Sequence, residues 1–173
     1  SPFTIIMAET LVQTQPERVD KVRVYPPKFL ERKYHPELHA DLANREHIFL
    51  FSPAQYSRAD PIIHASASFR SCKALVLYDG NLGSLAHMWY DDDPAPYIKS
   101  MKRDLKSPRI QAIAVAGPDE IYGIEQALLD ENVTVKSLIR LLDKPDKDIL
   151  FTPLDKQVKI YRRGETPVIA LFD

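Results

Sequence analysis

The stretch that decides the fold runs from Cys72 to Met88 and reads Cys-Lys-Ala-Leu-Val-Leu-Tyr-Asp-Gly-Asn-Leu-Gly-Ser-Leu-Ala-His-Met. Its first seven residues, 72–78, are mainly apolar and predict a strand. The following Asp79-Gly80 pair is a hairpin turn signal, and residues 81–89 return as a second strand. The sequence therefore predicts an antiparallel pair of strands near the middle of the chain.

The position of the turn fixes which residues face each other in this hairpin. If Asp79 and Gly80 are the turn residues, Cys72 lies directly opposite His87, with Cβ atoms roughly 4.5–5.5 Å apart. If the turn is Gly80-Asn81, His87 becomes a diagonal neighbour of Cys72, on the same face but farther away. An imidazole beside a thiol stabilises the thiolate and can protonate a leaving amine. The alternative for a lone cysteine is a small, buried apolar side chain.

The remaining elements mix strands with a few helices, without a linker or an internal repeat. Further strands are expected at residues 21–25, 47–51, 110–116, 158–161 and 167–172, the last two as a hairpin. Helices are expected at residues 36–45, 94–105 and 119–130, the last capped by Asp119. Residues 52–63 are expected as a loop, and residues 133–142 fit either a strand or a helix. This mixture predicts an α+β fold, with mixed or antiparallel sheets layered with helices.

Length and composition predict one domain. The chain has 173 residues, of which 45% are hydrophobic and 27% charged, as in ordinary globular proteins. Residues 1–20 are expected to form a loose arm, with a cloning remnant before Met7, and residues 21–173 to form the domain. A single cysteine excludes an internal disulfide and a cysteine-rich zinc site.

Charge and hydropathy exclude several classes of function. Lys and Arg number 23 against 24 Asp and Glu, so no global field favours nucleic acid. No stretch approaches the roughly 18 consecutive apolar residues of a membrane span. The N-terminus lacks a signal peptide, so we expect a cytoplasmic protein, with an effector injected into a host as the open alternative. The oligomeric state is not predicted.

The segment from Ser71 to Asp79, followed by Gly83 to Met88, resembles the CheD chemoreceptor glutamine deamidases. The shared features are a Ser-Cys before an apolar strand, an Asp in the turn, and small residues that end in Ala-His. A weaker likeness includes 113–117 and the helix after it, so that the resemblance covers residues 64–140. The Cys–His arrangement is also similar to the catalytic domain of cytotoxic necrotizing factor toxins. A looser likeness is to protein N-terminal asparagine amidohydrolases, and all three families cleave side-chain carboxamides.

The resemblance implies a cysteine-dependent amidohydrolase that deamidates Gln or Asn side chains in a protein substrate. Cys72 would be the nucleophile, and His87 the general base and acid. The third catalytic residue of CheD falls on Ser66, with Ser68 as a nearby substitute. No metal or other cofactor is implied. The runner-up is a catalytically inactive CheD-like module that binds a protein partner.

Residues around the nucleophile are the candidate substrate contacts. Backbone N–H groups near Ser71 and Cys72 would hold the oxyanion. Arg70 would help to lower the thiol pKa or is a surface charge. Trp89 and Tyr90 would line the mouth of the site or simply pack. The Gly-Leu-Gly run of CheD is replaced by Ser68-Phe69-Arg70, which predicts a different approach of the substrate.

Other polar residues leave alternatives open. The acidic run 91–93 would select a basic substrate or hold a cation, or it is a solvated loop. His64 lies either behind the catalytic pair or in a loop. His35 and His39 are one helical turn apart, but no third metal ligand is apparent, and a partly exposed helix face is the preferred interpretation.

Overall fold

The strands in the described part of the chain belong to two six-stranded mixed sheets. The computed structural model describes residues 15–30, 36–141 and 146–173. Within these ranges the strands are β1 Glu17–Val19, β2 Val22–Arg23, β3 His47–Leu50, β4 Gln55–Ser57, β5 Ile63–Phe69, β6 Lys73–Tyr78, β7 Gly83–Met88, β8 Gln111–Ala116, β9 Thr134–Arg140, β10 Lys147–Thr152, β11 Gln157–Arg162 and β12 Val168–Leu171. The helices of the same ranges are α1 Pro27–Leu30, α2 Pro36–Leu42, α3 Ala95–Asp104 and α4 Ile121–Asp130, with a 3-10 turn at Pro153–Asp155.

The strands of the two sheets are interleaved along the sequence. The first sheet runs β1-β4-β7-β6-β8-β9, and the second runs β12-β11-β10-β5-β3-β2. The pairs β1/β4, β8/β9 and β3/β5 are parallel, and the other neighbours are antiparallel. The predicted α+β class, with mixed sheets and a few helices in a single domain, is confirmed.

The alternation of side chains along each strand builds three apolar layers. Between the sheets lies an inner core, to which β6, β7 and β8 contribute from one side and β5, β10 and β11 from the other; it includes Val76, Leu85, Ile113, Val115, Phe69, Ile149, Phe151 and Val158. Leu75 and Leu77 point the opposite way and pack with α3 and α4. Leu38 and Leu42 of α2 cover the outer face of the second sheet. The layers are thus helix, sheet, sheet, helix.

Several local predictions need correction. Gln55–Ser57 forms β4 inside the expected loop, and Glu17–Val19 of the expected arm pairs with it as β1, because sheet pairing overrides weak local patterns. The ambiguous stretch 133–142 contains the strand β9, parallel to β8, with its last residue outside the described residues. Glu120, not Asp119, occupies the N-cap position of α4, and its side chain makes no capping bond. Residues 1–14 and His35 lie outside the described residues.

The hairpin of β6 and β7 has the second of the two predicted registers. Ala74 pairs with His87, so His87 is the diagonal neighbour of Cys72, and the directly opposed pairing is wrong. The reason is the loop: the Asp79 N–H donates to the Leu82 carbonyl at 3.0 Å, which leaves Gly80-Asn81 as the turn. Gly80 has a φ of +97°, a conformation that favours glycine.

Asp79 holds this loop through backbone N–H groups. Its Oδ1 accepts from Asn81 and Leu82 at 3.0 and 2.7 Å, and its Oδ2 accepts from Lys106 and Ser107 at 2.8 and 3.2 Å. Burial acts to raise the pKa of this carboxyl, but the four hydrogen bonds outweigh burial and hold the pKa below its usual value.

We therefore expect Asp79→Asn to lower the free energy of unfolding at neutral pH by about 1–3 kcal/mol, because an amide NH2 cannot accept from an N–H group. The depressed native pKa means that the wild type loses this stabilisation as the pH falls below about 4. Urea unfolding of both proteins at neutral and acidic pH measures the difference, which should shrink in acid. A difference that stays constant across this range would contradict the assignment.

No helix in the described ranges is long and apolar enough to span a bilayer.

Candidate active site

Cys72 lies where the chain crosses from one sheet to the other. Residues 70–72 connect the end of β5 in the second sheet to the start of β6 in the first. The thiol is partly exposed and packs against the inner core. Continuing the register of β6 and β8 places Gly117 opposite Cys72, and both residues line a cavity of about 380 Å³ at this edge of the sandwich.

His87 is held by a hydrogen-bond chain that joins the two sheets. Ser66 Oγ donates to the Leu50 carbonyl at 2.6 Å and lies 2.9 Å from His87 Nδ1. The single hydroxyl proton of Ser66 is donated to the Leu50 carbonyl. The hydrogen bond between Ser66 Oγ and His87 Nδ1 therefore uses a proton carried by Nδ1. His87 Nε2 is then a proton acceptor. It is buried and has no hydrogen-bond partner among the described residues.

Phe69 covers the imidazole of His87. The two rings are stacked, with centroids 3.7 Å apart and an interplanar angle of 20°. His87 is only 3% exposed, and burial lowers its pKa to about 3. The imidazole is therefore neutral at physiological pH, with a free lone pair on Nε2.

The thiol is also neutral in this state. Burial of the thiol raises the pKa of Cys72, and the nearby negative charge of Asp92 raises it further. Cys72 is diagonal to His87, and Nε2 accepts no hydrogen bond from it. The expectation of a thiolate with a lowered pKa, paired with an imidazolium, is wrong for this state, because burial disfavours both charges and no hydrogen bond joins Cys72 to His87.

His64 provides an internal contrast to His87. It is fully buried, its Nδ1 lies 2.7 Å from Ser57 Oγ, and its Nε2 lies 3.0 Å from the Asp60 carbonyl. Both ring nitrogens are therefore satisfied, as expected of a histidine that serves packing. Of these two Ser–His pairs, only the one at His87 leaves a lone pair unused.

The structure brings some of the predicted site residues together and separates others. Arg70 and Ser71 line the cavity with Cys72, whereas Ser68 and Trp89 do not. Ser66, rather than Ser68, contacts His87. Ser68 is exposed and uses its backbone N–H to bind Asp148 Oδ1 at 3.1 Å.

Ser68 has a backbone conformation that favours glycine. Its φ is +64°, the left-handed conformation that glycine adopts most readily. A serine therefore takes the backbone path expected of a glycine, and the next residue, Phe69, turns inward onto His87. Phe69 thus forms the cover of the imidazole.

The acidic run beside the site has a structural role at its middle residue. Asp92 Oδ2 accepts from the Trp89 N–H at 3.0 Å and from the Tyr97 hydroxyl at 2.7 Å. The Asp92 carbonyl accepts from Lys73 Nζ at 2.5 Å. No group of three potential metal-binding side chains occurs among the described residues.

Sequence reasoning missed two contributors to the site: Phe69 over the imidazole and the Leu50 carbonyl behind Ser66. Of the two aromatic residues expected at the mouth of the site, Tyr90 lines the cavity and Trp89 does not. Phe69 was visible only as a departure from the glycine run. Nothing in the local sequence pairs Leu50 with Ser66, because that contact depends on the parallel register of β3 and β5.

Replacing Phe69 with Leu is expected to raise the pKa of His87 from about 3 toward the 6.5 of an exposed imidazole. Loss of the stacked ring admits water, which solvates the imidazolium. Titration of the His87 ring signals by NMR measures this pKa, and the His64 signals in the same spectra are the control. An unchanged His87 pKa would show that other atoms desolvate the ring.

No family model matches this chain, and a search of curated proteins finds no significant match.

Proposed function

We propose that this protein is a cysteine-dependent amidohydrolase that converts Gln or Asn side chains of a protein substrate to Glu or Asp. The observation that supports it is the unpartnered, buried Nε2 of His87, fixed as a proton acceptor by Ser66 and Leu50 on the face that Cys72 shares. His39 Nδ1 and His47 Nε2 are also buried without a partner among the described residues, so the unpaired nitrogen alone does not mark a site. His87 is the histidine of these three that shares a face with a thiol.

The first half-reaction begins from neutral groups. As Cys72 Sγ bonds to the carboxamide carbon, its proton passes to His87 Nε2. The N–H groups near Ser71 would stabilise the oxyanion, a contribution of roughly 3–4 kcal/mol for one good donor in other enzymes. The imidazolium then protonates the amide nitrogen, the C–N bond breaks, and ammonia leaves a thioester on Cys72.

The second half-reaction returns the enzyme to its starting state. Neutral His87 takes a proton from water, and the resulting hydroxide attacks the thioester carbon. The tetrahedral intermediate collapses, the C–S bond breaks, and the proton returns from the imidazolium to sulfur. The net reaction converts a carboxamide and water to a carboxylic acid and ammonia.

A reduced thiol nucleophile fits a reducing compartment such as the cytoplasm.

Attack requires Sγ to come within reach of Nε2. Diagonal residues in an antiparallel pair lie roughly 7–8 Å apart at Cα, a gap that side-chain rotation must close. Catalytic hydrogen bonds are commonly long in the free enzyme and shorten around substrate. We infer that a substrate filling the cavity turns the thiol toward the imidazole.

A protein-binding module without catalysis is the second candidate. The neutral thiol and the missing Cys72–His87 hydrogen bond favour it. In that case, Cys72→Ser would keep the affinity for the partner and the cavity would hold a partner side chain.

A peptide pool tests the activity. Synthetic peptides with a central Gln or Asn and randomised flanking residues are incubated in oxygen-18 water with the wild type, Cys72→Ala or His87→Ala. We expect the wild type alone to incorporate heavy oxygen into the side-chain carboxyl of a subset of peptides. The His64→Gln variant, which changes the satisfied histidine, should retain this activity if it folds. Incorporation at equal rates in Cys72→Ala would contradict the proposal.

A further inference from the structure

The cavity beside Cys72 is larger than one carboxamide requires. Its volume of about 380 Å³ lies within the roughly 300–1,000 Å³ of small-molecule pockets. Its apolar lining comes from both sheets and from the segment after β9, and it includes Phe69, Val115, Ile149 and Leu141. The space therefore has room and apolar surface for a long side chain next to the carboxamide.

The basic and the acidic side chains that line the cavity differ in their contacts with the rest of the protein. Arg70 Nε pairs with Asp146 Oδ1 at 2.6 Å, and Lys147 Nζ donates to the Arg70 carbonyl at 3.3 Å. Asp119 and Glu120, which line the other wall, form no ion pair with any residue in the described ranges.

Gly117 lets the Glu120 carboxylate lie against this wall. A Cβ atom at position 117 would be 2.5 Å from Glu120 Oε2, so any other residue would displace the carboxylate. Asp119 is exposed and Glu120 is partly buried, so both can meet a group that enters from solvent. The carboxylates of Asp119 and Glu120 thus place negative charge beside the apolar lining of the cavity.

We propose that this cavity is a subsite for a lysine or arginine side chain adjacent to the carboxamide of the substrate. Its methylenes lie along Phe69, Val115 and Leu141, and its cationic end meets Asp119 and Glu120. Long basic side chains combine an apolar stem with a charged tip, which matches this lining. This inference rests on the proposed function for the carboxamide, but the subsite itself can be tested without turnover.

A bound cation would also assist the nucleophile. Burial and the charge of Asp92 raise the thiol pKa in the free protein. A positive charge in the cavity opposes both effects because it stabilises the developing negative charge on sulfur. Substrates with a basic residue at this position would therefore react faster as well as bind more tightly.

Three iodoacetamides with stems of matched length test the subsite: an aminohexyl, a hexyl and a carboxypentyl reagent. Each alkylates Cys72 by forming an S–C bond with loss of iodide, and intact mass gives the rate. Rates are normalised to those with a small free thiol. We expect the aminohexyl reagent to react about fivefold faster than the hexyl reagent, with the carboxypentyl reagent slowest.

The double variant Asp119→Asn/Glu120→Gln should lose the preference for the amine while keeping the hexyl rate. The matched control is Asp130→Asn/Asp155→Asn, which removes the same charge from residues that do not line the cavity and should keep the wild-type order. A carboxypentyl rate equal to the aminohexyl rate, or an order unchanged in the first double variant, would overturn the subsite. Either result leaves the oxygen-18 assay of the proposed function unaffected, so the two failures are distinguishable.

Discussion

Changing His87 to Ala is expected to lower the rate at which iodoacetamide alkylates Cys72 near pH 6 by about 100-fold. Iodoacetamide is itself a carboxamide, so in the wild type we expect it to enter the cavity and bring the thiol within reach of His87. Neutral His87 then accepts the thiol proton as sulfur attacks, and the reaction does not depend on a preformed thiolate. The rate should therefore be nearly constant between the His87 pKa of about 3 and the raised pKa of Cys72. In the variant only the thiolate reacts, so the rate falls tenfold for each pH unit below the thiol pKa.

Intact mass after timed alkylation gives both profiles, and His64→Gln is the control because His64 has no free nitrogen. A thermal melt confirms that each variant is folded. If wild type and His87→Ala show the same slope across this pH range, His87 does not assist Cys72. Ser66→Ala should fall between the two, because the imidazole loses the hydroxyl that fixes its protonated nitrogen.

Gly83→Ala is expected to lower the free energy of unfolding by about 3 kcal/mol. A Cβ at this position would lie 2.0 and 2.4 Å from two atoms of the Phe151 ring. That ring is held in place because it stacks with His64, at a centroid distance of 5.5 Å, and packs edge-on against Tyr78. The added methyl group must therefore push the two sheets apart.

Chemical denaturation measures this loss, and two variants sharpen the result. Gly83→Ala/Phe151→Leu should be more stable than the sum of the two single changes predicts, because Leu frees the space that the methyl group needs. Gly123→Ala is the matched control. Apart from its own helix backbone, no atom of the described residues lies within 4 Å of the added Cβ, and Ala in place of Gly in a helix should add up to about 1 kcal/mol of stability. Strict additivity at positions 83 and 151 would contradict the contact.

The parts of the fold that local pattern determines could be predicted. The apolar run 72–78 and the apolar face of the helix after Asp119 follow from periodicity, and together they indicated the α+β class. Strands β1 and β4 could not be predicted, because each is three residues long and is stabilised by the pairing between them. Their stability comes from contacts between residues far apart in sequence.

The sequence predicted that Cys72 and His87 share a face, but not the register or the protonation state of the pair. Spacing within one hairpin brought Cys72 and His87 to one face, but the Asp79 loop selected the diagonal register. The directions of the pKa shifts depend on burial by Phe69 and on the charge of Asp92, which only the assembled sandwich supplies.

The most direct test of the account is to look for the thioester on Cys72. Wild-type protein is mixed with the Gln and Asn peptide pool, quenched in acid at short times and examined by intact mass. We predict transient adducts whose masses equal a peptide minus ammonia, located on Cys72 and absent from Cys72→Ala. Heavy oxygen entering the peptides with no such adduct at any quench time, and at the same rate in Cys72→Ala, would contradict the central claim.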